Sequence, residues 1–290
     1  MTDAAMKPRH IAILFHEGDR GSKLARYAID HLRPFWEEDG HRVSYLFGVR
    51  ERVPADLILV HVNLSVVPGE YLDFASRYPI ALNAGVRDIR KSSVSKHLVA
   101  SGDGWDGAVI AKSDLNYAGE PEREYGKTWL ERRWPLLGRL RMAATPFATS
   151  GHYKIFESPK QVPLTLRLDP RVVLERFVPE IEDGLYHTTI YRFLGDRSAC
   201  TRFASPQPIV SAKQAVRAEE VEPHPGIVAW RHRLEIDYGK LDYVVHEDEV
   251  VLLDINKTTG SASYLSDDRH REIRRHRAEG LYSFFDDAPR

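Results

Sequence analysis

Cysteine is nearly absent from this chain: Cys200 is the only one in 290 residues. One thiol allows no intrachain disulfide and no cysteine-built metal cluster. The thirteen histidines show no metal-ligand spacing, so no zinc site is expected. A dominant charge sign is missing too. Forty-one Lys and Arg stand against forty-two Asp and Glu, a formal net charge of −1. That balance provides no general attraction to nucleic acid or to an anionic membrane. No apolar run approaches the roughly 20 residues that span a bilayer. Met1 to His10 is short and polar, without the apolar centre of a signal peptide. A cytoplasmic protein with no nucleic-acid and no membrane partner is the expectation. Three nucleotide or nucleophile signatures are also missing: the G-x-x-x-x-G-K-[ST] loop, the G-x-G-x-x-G turn and the G-x-S-x-G elbow.

What is present reads as a globular chain with room for two or three units. Hydrophobic residues make up 42% and charged residues 29%, ordinary values for a folded domain. His10–His16 is an apolar run that reads as a buried parallel strand, and a helix is expected from Ser22 to about Glu38. Strands follow at Arg42–Phe47, Ala55–Val62 and Ile80–Asn83. This strand–helix–strand order points to an open α/β sheet over residues 1–85. A helix is expected over 86–100, then a strand at Ala108–Lys112 and a polar loop from Ser113 to Glu122. Glu124–Ser150 reads as a helix with an irregular lid, and Lys154–Ser158 as a connector. Arg171–Val178 is a further strand. Tyr186–Leu194 and Arg197–Ala204 form a hairpin around Gly195-Asp196. Cys200 reads as a buried packing thiol. Arg269, Arg271, Arg274, Arg275 and Arg277 read as the solvated face of a terminal helix.

The most telling stretch is Gly239-Lys240-Leu241-Asp242-Tyr243-Val244-Val245, a polar turn, then Val250-Val251-Leu252-Leu253-Asp254-Ile255-Asn256-Lys257-Thr258. Each half is an apolar strand carrying an acid. Side chains two apart on a strand share a face. Pairing as a hairpin would therefore bring Asp242, Asp254 and Asn256 to one patch. Three oxygen donors on an otherwise apolar face suit a hard cation such as Mg²⁺, and carboxylates rarely sit among strand aliphatics without a partner. That points to an enzyme acting on a phosphorylated substrate.

With these residues the chain resembles the ATP-grasp superfamily, whose members use ATP to activate a carboxylate, usually for joining to an amine. Glutathione synthetase and D-alanine–D-alanine ligase are of this kind. The implied fold is α/β and α+β: an N-terminal open parallel α/β unit (1–85), a central lobe with a lid (86–174) and a C-terminal lobe with the metal site (175–290), the two lobes enclosing ATP. Asp242, Asp254 and Asn256 match the family's metal ligands, for Mg²⁺ or alternatively Mn²⁺. Asp254 stands where many members have Glu. Lys112, in Val-Ile-Ala-Lys, matches a nucleotide lysine, and Lys91 an earlier one, with Lys96 competing. The loop Ser113–Gly119 resembles a phosphate loop but holds one glycine. Glu175-Arg176-Phe177-Val178 resembles the adenine hinge, with Glu180 as the ribose acid and Glu182 and Asp183 as rivals.

Arg202 and Lys240 are candidates for holding the transferring phosphoryl or a substrate carboxylate, with Arg192 alongside. Lys240 stands where related ligases often have Arg. The resemblance implies an ADP-forming carboxylate–amine ligase with small-molecule carboxylate and amine substrates, and it allows a homodimer. A small-molecule kinase and a non-catalytic nucleotide-binding protein remain alternatives, as does a plain α/β module. Substrate residues are expected near His16–Asp19, His61–Ser65 and Arg87–Arg90, the first two just after expected strands.

Overall fold

A computed structural model describes residues 7–19, 21–100, 102–127, 153–260 and 267–285. Three sheets follow one another along the chain. The first is parallel, ordered β2-β1-β3-β4, from β1 (His10–Phe15), β2 (Arg42–Phe47), β3 (Leu57–Val60) and β4 (Ile80–Leu82). The HIAILF run of β1 is central and almost wholly buried, as parallel strands covered on both faces require. The second sheet is antiparallel, β6-β5-β7: β5 is Val109–Ser113, β6 Lys154–Phe156 and β7 Val172–Arg176. The third runs β11-β10-β9-β12-β13, with β8 (Glu180–Glu182) beside β9 (Leu185–Leu194). β10 is Arg197–Ser205, β11 Arg217–Glu220, β12 Tyr238–His246 and β13 Glu249–Asn256.

Short turns set the third sheet's register. Glu247 and Asp248 both adopt positive φ, 50° and 64°, the pattern of a two-residue hairpin turn whose twist matches its strands. The β9–β10 hairpin pairs Leu194 with Arg197 across Gly195-Asp196, as the sequence predicts. Along β9, burial alternates from His187 to Phe193, so one face packs and the other stays available. Cys200 is buried, as expected, with its sulfur 3.5 Å from the Tyr243 hydroxyl.

The helices depart most from expectation. The long helix from Ser22 to Glu38 is instead two 3₁₀ segments, Gly21–Arg26 and Ala28–His31, then α1 (Arg33–Glu38). Pro34 sits in the first turn of α1, where its missing N–H costs no helical hydrogen bond. The break at Tyr27 is tertiary in origin: this residue bridges to Gly260, and the Ala28 N–H donates to the Thr259 carbonyl. After α2 (Gly69–Ala75), the helix expected over 86–100 shrinks to α3 (Lys91–Val94), because Ile89 and Val99 donate to the backbone of Ser65 and Leu174. α4 is Glu120–Tyr125 and α5 Leu164–Arg167. Lys154–Phe156 pairs with β5 as strand β6 rather than serving as a connector. Most of the proposed lid lies outside the described residues.

α6 (Pro225–Arg233) covers the packed face of the third sheet, where Ile227 and Trp230 join Tyr191, Phe193, Leu241 and Ile255. α7 (Asp267–Glu279) and the 3₁₀ turn Gly280–Phe284 return to the first sheet. Ala278, Leu281 and Phe285 enter the same core as Ile13, Phe15 and Trp36, and the Trp36 indole N–H donates to the Ala278 carbonyl at 2.8 Å. No helix among the described residues is long and apolar enough to cross a membrane.

Candidate functional site

The register of β12 against β13 places Asp242 directly opposite Asp254 and Lys240 opposite Asn256. All four therefore share one face. β9 extends that face: Arg192 pairs with Lys240 and Ile190 with Asp242. Opposite it stands the second sheet, whose Lys112 reaches over to donate to the Leu253 carbonyl at 3.3 Å. From the start of α3, Lys91 turns inward and meets Asp254 at 3.3 Å.

Three lysine–acid pairs meet here. Lys112 Nζ lies 2.6 Å from Glu175, Lys91 3.3 Å from Asp254, and Lys240 2.6 Å from Asp242. Burial works against the Lys91 ammonium, but Asp254, with Tyr153 and Glu175 adding to it, outweighs burial and raises its pKa. Lys240 is raised in the same way, with burial opposed by Asp242 and Asp254. Both lysines are thus held charged beside the acids. Lys96, the rival of Lys91, lies over the Trp230 ring at 4.9 Å instead.

Asp242, Asp254 and Asn256 form an all-oxygen donor set on one face, which fits Mg²⁺. Among the described residues no three His, Cys, Asp or Glu side chains gather for a metal, so Asn256 is needed as the third donor. Its Oδ1 accepts the Thr258 N–H at 2.9 Å and its Nδ2 donates to the Tyr117 hydroxyl.

Tyr117, in the loop expected to be a phosphate loop and part of a lid, has a conformation that its sequence does not announce. It begins a left-handed stretch: Tyr117, Ala118 and Gly119 have φ of 46°, 53° and 70°. Two non-glycine residues there cost roughly 1–2 kcal/mol each. They are held because Asn116 is pinned on both sides, its N–H to Ser65 Oγ at 2.9 Å and its Nδ2 to the Ile255 carbonyl at 3.1 Å. The single glycine of this loop is therefore no bar to a tight turn. Asp114, just before it, anchors α3 through the Ser92 N–H at 2.7 Å.

Other predicted residues lie elsewhere. Arg202 is off the site. It pairs with Thr189, one step out of phase with Arg192, and a strand's two-residue period turns it to the opposite face. There it binds Glu180 and Glu182, each at 2.6 Å. Glu180 also accepts the Val245 N–H at 2.8 Å, so its carboxylate ties β8 to β10 and β12. In the hinge, the Arg176 and Phe177 N–H groups already donate to His97 and Ala108 carbonyls. Val178, in the coil after β7, is the hinge residue left to offer a backbone donor. Glu175 contributes its side chain to Lys112.

The expected substrate segments converge behind β13. Thr258 Oγ1 donates to Asn63 Oδ1 at 2.8 Å, Asn63 Nδ2 to the Tyr27 hydroxyl at 3.1 Å, and Tyr27 to Asp19 at 3.0 Å. Lys257 is fully buried, its Nζ hydrogen-bonded to no described group, and burial depresses its pKa to about 7. Burial likewise lowers His61 to about 3. Arg90 is occupied by Asp88 at 2.6 Å.

No protein-family model matches the chain, and comparison with curated proteins finds no match. Among solved structures, the chain is similar to a RimK domain protein ATP-grasp from Sphaerobacter thermophilus, at 12% identity and a TM-score of 0.48, over 95% of this chain and 100% of that one. It is similar to the macrocyclase MdnC bound with precursor peptide MdnA from Microcystis aeruginosa, at 13% identity and 0.46, over 95% and 100%. It is also similar to a D-alanine–D-alanine ligase from Bacillus anthracis complexed with ATP, at 12% identity and 0.44, over 97% of both chains. These are loose likenesses of fold, and the site stands on its own residues. An open parallel α/β sheet followed by two antiparallel sheets that face each other across paired lysines and acids gives the chain a fold similar to that of ATP-grasp proteins.

Proposed function

We propose that this chain is an ATP- and Mg²⁺-dependent, ADP-forming ligase of the ATP-grasp type, activating a small-molecule carboxylate for attack by an amine or similar nucleophile. One observation carries the reading: Lys91, Lys112 and Lys240 reach the same inter-sheet space as Asp242, Asp254 and Asn256. Lys91 and Lys112 facing the oxygen donors, with Lys240 beside those donors on their own face, suit a metal–triphosphate.

Asp242, Asp254 and Asn256 would hold Mg²⁺, which supplies neutralisation of phosphate charge when bound. Lys91 would turn from the part-exposed Asp254 to phosphate oxygens, and Lys112, kept beside Glu175, would add a second cation to them. Lys240 is released from Asp242 and faces the reacting carboxylate as a point charge without arginine's two-pronged geometry. Tyr117, beside Asn256, closes the phosphate side against water. Catalysis on this reading is positioning and charge stabilisation.

The test is ADP release across a panel of acids and amines. Wild type should turn over ATP with at least one pair, while Asp254→Ala and Asn256→Ala each abolish turnover with the circular dichroism spectrum unchanged. Normal turnover in both variants defeats the metal assignment. ADP with a phosphorylated product and no amide would replace ligation by a kinase reaction.

A further inference from the structure

We infer that a cavity of about 770 Å³ beside Lys240 receives an acid carrying a second oxyanion besides its reacting carboxylate. The reacting role of that first carboxylate rests on the ligase reading; the pocket does not. Its floor is the open face of the third sheet, with Arg192 and Lys240 as cross-strand neighbours. Its wall is α7, and its far end reaches Ala28 and Thr259. The size falls within the roughly 300–1,000 Å³ of small-molecule sites.

The basic cluster of α7 divides between two stripes of the helix. Arg271 and Arg275 face α1, where Glu38 and Asp39 meet them at 3.2 and 2.9 Å. Arg274 and Arg277, three apart and so on one stripe, line the cavity. The cavity's acids are largely engaged already. Glu220 and Glu272 both hold Arg269, at 2.6 and 3.4 Å, which leaves Glu222 as the remaining lining acid among the described residues. Arg192 and Arg274 thus give the pocket a cationic run from the sheet to the helix, with Lys240, paired to Asp242 at 2.6 Å, at its inner end. Guanidinium groups grip carboxylate or phosphate oxygens through paired hydrogen bonds. A substrate with its reacting carboxylate at Lys240 would lay its other end along Arg192 and Arg274.

Calorimetric titration at low salt, without nucleotide, tests this with suberate, octanoate and 7-phosphonoheptanoate, acids of similar reach that differ in their second group. At least one dianion should bind about tenfold or more tightly than octanoate, the loss expected for one charge-assisted contact, and raised salt should weaken it. Arg192→Gln and Arg274→Gln should each erode that preference about tenfold while keeping the wild-type unfolding midpoint. Preference for suberate names a carboxylate as the second group, preference for the phosphonate names a phosphate, and both uphold the dianion. Equal binding of octanoate, no binding of either dianion, or full preference retained in a folded Arg274→Gln overturns the inference. Mg·ATP binding, titrated separately on the same samples, reports on the ligase reading alone.

Discussion

Lys112 and Glu175 sit 2.6 Å apart with side chains only 6% and 5% exposed. A buried pair of this kind contributes little net stability, but removing one member strands the other's charge at a cost of about 3–5 kcal/mol. Lys112→Met should therefore destabilise the chain strongly, and adding Glu175→Leu should recover most of the loss. Both versions should still fail to bind Mg·ATP. Urea unfolding and nucleotide titration check this. Equal stability of the single and double variants would mean that the pair is not buried in solution, and unchanged ATP binding would remove Lys112 from the site. Lys91 and Lys240 differ in degree, because Asp254 and Asp242 keep 32% and 19% of their side-chain surface. Those pairs are screened by water and open at lower cost.

Among the elements, the β12–β13 hairpin positions the donors, and its tolerance is narrow at Gly239. A Cβ there would come 2.6 Å from the Asn256 carbonyl oxygen, backbone that cannot swing aside. Gly239→Ala should push β13 outward at a cost of about 1–3 kcal/mol and weaken Mg·ATP binding together with stability. A fully stable Gly239→Ala with wild-type nucleotide affinity would show that this close approach is absent. The hairpin was legible in sequence because aliphatic runs, an acid within each of them and a polar turn all agree there. The parallel strands were legible from aliphatic runs for the same reason. The helices were not: Tyr27–Gly260 and the Ile89 and Val99 backbone bonds are made with distant segments, and no local periodicity encodes them. Arg202 was misplaced because strand parity depends on a register that the residue's own neighbourhood does not state. The Tyr117 loop was legible as a phosphate loop, but its left-handed φ values were not, because a Tyr-Ala pair does not advertise them.

At the scale of the whole molecule, the donor strand is tied to the parallel sheet. Thr258 reaches Asn63, Asn63 reaches Tyr27, and Tyr27 reaches Asp19, while Ala278, Leu281 and Phe285 close the first sheet's core from the far end of the chain. The second sheet faces this assembly through Lys112 and α3 through Lys91, so a ligand in that space touches groups separated by more than 150 residues, Lys91 and Asp254 among them. The most direct test is a crystal of the protein grown with Mg²⁺ and a non-hydrolysable ATP analogue. The ion should be ligated by Asp242, Asp254 and Asn256, with the phosphates against Lys91 and Lys112 and the base at the Val178 hinge. An analogue bound away from these residues, or an ion held by other groups while Lys91–Asp254 and Lys240–Asp242 stay closed, would contradict the account.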